Sequence, residues 1–198
     1  MPITLNGTTG IGTPGVASTD AITGTTGTFS GNVTANGLST ELRPLVLGTA
    51  QVSTSGTAID FTGIPSWAKR VTVLFSGVSA SGTSPIIVQL GTSGGVVTSG
   101  YVGAQGATAA TAAGTTNITN GLGVYSVAAA TDTFAGKAEF CLLSGNLWVG
   151  SSVVAANSVR TTFAGTTVTL SGILDRIRVT TVNGTDTFDA GTINIMWE

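Results

Sequence analysis

Residues 70–78 read Arg-Val-Thr-Val-Leu-Phe-Ser-Gly-Val, and the order in which apolar and polar side chains alternate there decides the fold class. Val71, Val73 and Phe75 fall on one side of an extended chain, since successive side chains in a strand point to opposite faces. The reading is a half-buried strand. The stretch 85–90, Pro-Ile-Ile-Val-Gln-Leu, repeats the pattern with Ile86, Val88 and Leu90. In 137–144, Lys-Ala-Glu-Phe-Cys-Leu-Leu-Ser, the residues Ala138, Phe140 and Leu142 point inward while Lys137 and Glu139 point outward. A turn at Ser144-Gly145-Asn146 then predicts a hairpin, with Leu147 and Val149 continuing the inward face. On that reading Trp148 faces the other way, toward solvent, where an aromatic ring can stack on a sugar or pack on another subunit.

Toward the C-terminus, Ile177, Val179 and Thr181 share a face opposite Arg176 and Arg178. Asn183-Gly184 supplies a strong turn signal, and Ile193, Ile195 and Trp197 form a last amphipathic strand. No window carries a sustained helical stripe. The Ala-rich residues 103–114 are interrupted by Thr and Gly and read as a long loop, and Gly91-Thr92-Ser93-Gly94-Gly95 reads as a turn. Trp67, after Ile64-Pro65-Ser66, is expected to plug the start of the core. Many short strands at fairly even spacing predict an all-β fold: an antiparallel β-sandwich, jelly-roll-like, over residues 45–198.

The first 44 residues have a different composition. They are Gly, Thr, Ser, Asn and Ala with isolated apolar residues such as Ile3, Leu5, Ile11, Val16, Ile22, Phe29 and Val33. Alone, such a segment buries too little apolar surface to offset the entropy of ordering it. Sister chains or a larger assembly are therefore expected to hold it as an extended arm. Arg43-Pro44 marks the boundary, because a residue before proline is pushed into an extended conformation.

Composition narrows the function. Charged residues make up only 8% of the chain, against roughly 25% in an ordinary domain, and apolar residues 41%. Isolated sheets usually protect their edges with Lys and Glu, so a charge-poor β-protein implies edges covered by partner subunits. A monomer with threonine-lined edges is the alternative. A net charge of −2 with seven basic residues offers no footprint for nucleic acid. No stretch approaches the roughly 20 apolar residues that span a bilayer, so no membrane insertion is expected. The N-terminal Met-Pro-Ile-Thr-Leu-Asn-Gly-Thr-Thr-Gly lacks the basic and apolar segments of a secretory signal.

Catalytic options are few. With no histidine and one cysteine, neither a Ser-His-Asp arrangement nor an ordinary zinc site is available, and no catalytic residue, metal ligand or cofactor is assigned. Cys141 lies in the apolar run Phe140-Cys141-Leu142-Leu143 and reads as a small buried thiol. Asp175, Asp186 and Asp189 are the carboxylates that a glycoside hydrolase would need. Asp beside Gly and Thr at a strand turn more often caps its own backbone. Arg176 and Arg178 are open to gripping an anionic sugar or to forming a solvated or interface face.

Two stretches, Ile59-Asp60-Phe61-Thr62-Gly63-Ile64-Pro65-Ser66-Trp67 leading into residues 70–79, and the closing Leu-Asp-Arg-Ile-Arg-Val-Thr-Thr-Val-Asn-Gly-Thr-Asp-Thr-Phe-Asp-Ala-Gly-Thr-Ile-Asn-Ile-Met-Trp-Glu, resemble bacteriophage tail-fibre and related virion proteins. The phrase Thr-Gly-Thr-Phe-Ser-Gly-Asn-Val-Thr-Ala at 26–35 is similar to the repetitive shafts of such fibres. The resemblance implies a homotrimeric, non-enzymatic appendage of the virion, assembled in the bacterial host cytoplasm. Residues 1–44 would attach to other virion proteins and 45–198 project outward, as a short tail fibre, head fibre or decoration protein. Host attachment through a bacterial surface glycan is the alternative role, and polysaccharide cleavage by Asp175, Asp186 or Asp189 a third. No binding residue carries over from the resemblance.

Overall fold

The computed structural model describes residues 45–198 apart from 110–112 and 128. The expected arm 1–44, its shaft-like phrase and the boundary at Arg43-Pro44 lie outside the described residues. Among the described residues every regular element is a strand. Two antiparallel sheets account for them. The nine-stranded sheet runs in the order β1 (Val46–Leu47), β14 (Phe188–Trp197), β4 (Arg70–Ala80), β10 (Phe134–Ser144), β11 (Leu147–Ala156), β12 (Arg160–Thr169), β7 (Val102–Ala109), β8 (Ala113–Asn117), and β2 (Gln51–Val52) also pairs with β14. The five-stranded sheet runs β3 (Ala58–Thr62), β13 (Arg176–Thr181), β5 (Ile86–Thr92), β6 (Gly95–Val96), with β9 (Leu122–Tyr125) on β5.

One core lies between the sheets. Val71, Val73, Phe75, Phe140, Trp148, Ile193 and Ile195 from the larger sheet share a single cluster with Phe61, Ile86, Val88, Leu90, Leu122, Ile177 and Val179 from the smaller. The alternation in 70–75 and in β13 and β14 therefore falls as the sequence predicts. It shifts phase at Gly77, where Gly191 of β14 lies opposite a bulge. Gly191 adopts φ +95, and a Cβ there would sit 2.5 Å from the Gly77 carbonyl oxygen. Only glycine fits that approach, and the extra residue turns Val78 rather than Gly77 inward.

Four readings from the sequence are corrected. Strand β5 is buried on both faces, not one, because the segment before β9 covers its outer side: Gln89 Nε2 donates to the Asn120 carbonyl at 2.7 Å, and Gly121 packs on Ile87. Residues 103–109 and 113–114 are not part of a long loop. They contain most of β7 and the start of β8, held by ladders to β12 and to each other. Ala, Gly and Thr give little apolar contrast, so the pairing comes from the neighbouring strand and not from local propensity.

The hairpin at Ser144-Gly145-Asn146 forms as expected, but with the opposite phase on its second strand. Leu142 pairs with Trp148 and Ser144 with Leu147, which leaves Leu143 as an extra residue. Trp148 is consequently 2% exposed, and Val149 is 39% exposed. Cys141, next to the buried Phe140, points to solvent and is exposed. Alternation within β10, and not the apolar character of its neighbours, sets its side. Its thiol donates to Glu139 Oε1 at 3.7 Å. Partial burial, and then that carboxylate, raise its pKa above the ordinary thiol value.

Candidate assembly face and polar cleft

The strand register lines up rows of side chains across the inner face of the nine-stranded sheet. One row runs Ile195, Val73, Ala138, Ser152, Ala164, Gln105, Thr116. The next runs Ile193, Phe75, Gly136, Val154, Thr162, Ala107, Gly114. Both begin with large apolar residues and end with small or polar ones. At the β7–β8 end, hydroxyls and an amide therefore replace hydrocarbon under the sheet.

Each buried polar group there needs a partner. Ser152 donates to the Gly123 carbonyl at 2.6 Å. Thr162 Oγ1 accepts from Ser126 N–H at 3.5 Å. The Gln105 side chain lies flat on β9, where glycine at 123 makes room: a Cβ at that position would sit 2.2 Å from Gln105 Oε1. That oxygen is buried without a hydrogen-bond partner, a state that costs about 1–3 kcal/mol.

Gln105 and Ala107 of β7, Gly114, Thr115 and Thr116 of β8, Ser126 after β9, and Arg160 at the start of β12 line a cleft of about 220 Å³. Arg70 pairs with Glu198, Arg176 with Asp175 at 3.0 Å, and Arg178 with Asp60 at 2.7 Å. Among the described residues, Arg160 makes no ion pair. Behind it, the buried Tyr125 hydroxyl donates to Asp132 Oδ2 at 2.7 Å, and burial pushes its pKa up to about 12. Val159, the residue before Arg160, holds φ +55. A β-branched residue in that left-handed region is strained by roughly 1–2 kcal/mol.

The outer face of the same sheet is different. On β11 and β12 the outward positions are Val149, Ser151, Val153 and Phe163, Gly165, Thr167, without a charge. Val153 lies opposite Phe163, and Phe163 opposite Gly106 of β7, whose missing side chain leaves room for the ring. Val153 is 58% exposed, Phe163 48% and Val102 of β7 74%. Lys137 and Glu139 on β10 border this face.

Of the carboxylates considered for catalysis, Asp175 lies at the opposite end of β13 from Asp186. Asp175 precedes β13 and Asp186 follows its far end, a separation of roughly 20 Å at a strand rise of ~3.3 Å per residue. Asp186 accepts from Ser84 N–H at 3.0 Å and from Asn183 Nδ2 at 2.7 Å, tying the 183–186 turn to the loop before β5. Asp189 accepts from the Ser79 hydroxyl. Arg176 and Arg178 are both ion-paired, and Trp67 packs half-buried against the core. Sequence reading overlooked Gln105 and Arg160. The only signal was a long polar side chain within an Ala/Gly/Thr run.

Compared with known proteins, the chain matches no family model, no curated protein and no solved structure.

Proposed function

We propose that the chain is a non-enzymatic structural protein of a bacteriophage virion, a homotrimeric short fibre, head fibre or decoration protein anchored to other virion proteins by residues 1–44. The observation that carries this reading is the exposed, uncharged outer face of β7, β11 and β12, where Val153 lies opposite Phe163 and where Val149 and Val102 flank Thr167. Contiguous apolar surface rimmed by polar residues marks interaction sites. Covering that face with sister copies removes it from water. The repeated passage of the chain between the two sheets supports a jelly-roll-like sandwich. A shortened chain lacking residues 1–44, supplied during particle assembly, is expected to be missing from purified particles while the full chain is incorporated. Equal incorporation of both would refute the anchoring role.

A second role, recognition of a bacterial surface glycan, is favoured by the polar cleft at Arg160 and not by the aromatic residues. Trp148 is buried in the core and unavailable for stacking on a sugar.

A further inference from the structure

We infer that the Arg160 cleft binds an acidic saccharide, taking the carboxylate of one uronic-acid-type ring on the Arg160 guanidinium. The inference deepens the surface-glycan reading and rests on it, and it is independent of the trimer. Three observations combine. Arg160 is without a carboxylate partner among the described residues, whereas Arg70, Arg176 and Arg178 each have one. Its planar fork of donors matches a carboxylate through two parallel hydrogen bonds.

The rest of the lining suits a sugar ring. Thr116, on the same face of β8 as Gln105 is on β7, and Ser126 supply hydroxyls that both donate and accept, and Gln105, 3% exposed, lies in the floor of the cleft. The volume, about 220 Å³, lies below the ~300–1,000 Å³ of sites for larger ligands and suits a single ring. Arg160 is the one cationic residue in the lining, which does not suit a polyphosphate. Strain at Val159 is the third observation, because backbone strain is retained where surrounding structure fixes a functional group in place.

The Asp132 carboxylate is the nearby acidic group, and it is engaged by the Tyr125 hydroxyl and the Ala129 N–H. Among the described residues no ion pair joins it to Arg160.

The test titrates the full-length protein with methyl β-glucuronide, methyl β-glucoside and inorganic phosphate, following binding by ligand-observed NMR, for the parent chain and for Arg160→Gln, Arg160→Lys and Thr116→Val. Saturable glucuronide binding is expected, weakened at least ~10-fold by Arg160→Gln, the scale of losing a charge-assisted pair, and only partly restored by Arg160→Lys. Thr116→Val, at an exposed position, is expected to weaken it several-fold and carries the test if Arg160→Gln fails to fold. Glucuronide binding unchanged in both Arg160→Gln and Thr116→Val, or no binding at all, would overturn the site. Phosphate displacing glucuronide would overturn the saccharide assignment. A neutral glycan bound equally by the parent and Arg160→Gln would leave the glycan reading standing and overturn this cleft as its site.

Discussion

The two ends of the nine-stranded sheet use the same ladder chemistry on opposite kinds of side chain. At the β14–β4–β10 end, Val71, Val73, Phe75, Phe140, Ile193 and Ile195 form a close-packed apolar layer. At the β12–β7–β8 end, the same rows carry Thr162, Gln105 and Thr116. The first end is stabilised by removing hydrocarbon from water; at the second, Ser152 and Thr162 have hydrogen-bond partners while Gln105 Oε1 has none. The second is also where the cleft opens. Apolar packing and the polar cleft are thus divided along one sheet.

The largest expected effect is at the apolar end. Phe140 is fully buried, with its ring against Gly150. Phe140→Ala should destabilise by about 3–5 kcal/mol in denaturant titration, since the ring's transfer energy is lost and a cavity remains. A loss below that seen for polar-end variants would break the contrast.

Tyr101 ranks next, because it joins the β7 end to the smaller sheet by accepting the Leu90 N–H at 2.7 Å. Tyr101→Phe leaves that buried donor unmatched and should cost about 1–3 kcal/mol. The same residue predicts a pH effect. Desolvation pushes the Tyr101 and Tyr125 hydroxyls up to about 12, while unfolded tyrosine ionises near 10. Their raised folded values give a contribution that is complete below about pH 10 and is lost as pH rises through about 12. Melting temperature should therefore decline across that window, and less steeply in Tyr101→Phe. An unchanged decline would remove Tyr101 from the account.

Smaller effects are expected in the polar rows. Ser152→Ala removes one hydrogen bond to Gly123 and should cost about 1 kcal/mol. Val159→Gly should instead stabilise by about 1 kcal/mol by relieving the left-handed strain. Destabilisation by Val159→Gly would show that the valine side chain, and not the backbone, matters there.

The same contrast explains what was legible in the sequence. Strands β4, β13 and β14 were readable because Val71, Val73, Ile177, Val179, Ile193 and Ile195 alternate with polar residues on a period of two. Residues 103–114 have no strand signature in sequence because Ala, Gly and Thr differ too little in hydropathy for one face to stand out. The inward phase of Trp148 depends on the extra residue at Leu143, which the local pattern does not specify. For the cleft, Gln105 and Arg160 are 55 positions apart in sequence. Only the pairing of β12 with β7 brings their strands together.

The central claim is that the face carrying Val149, Val153 and Phe163 is covered by sister copies. The most direct measurement is the solution mass of the full-length chain by light scattering, for the parent and for a Val153→Glu, Phe163→Glu double variant. The account predicts a trimer for the parent and a folded monomer for the double variant. A monomeric parent, or a trimer that survives both glutamates, would contradict it.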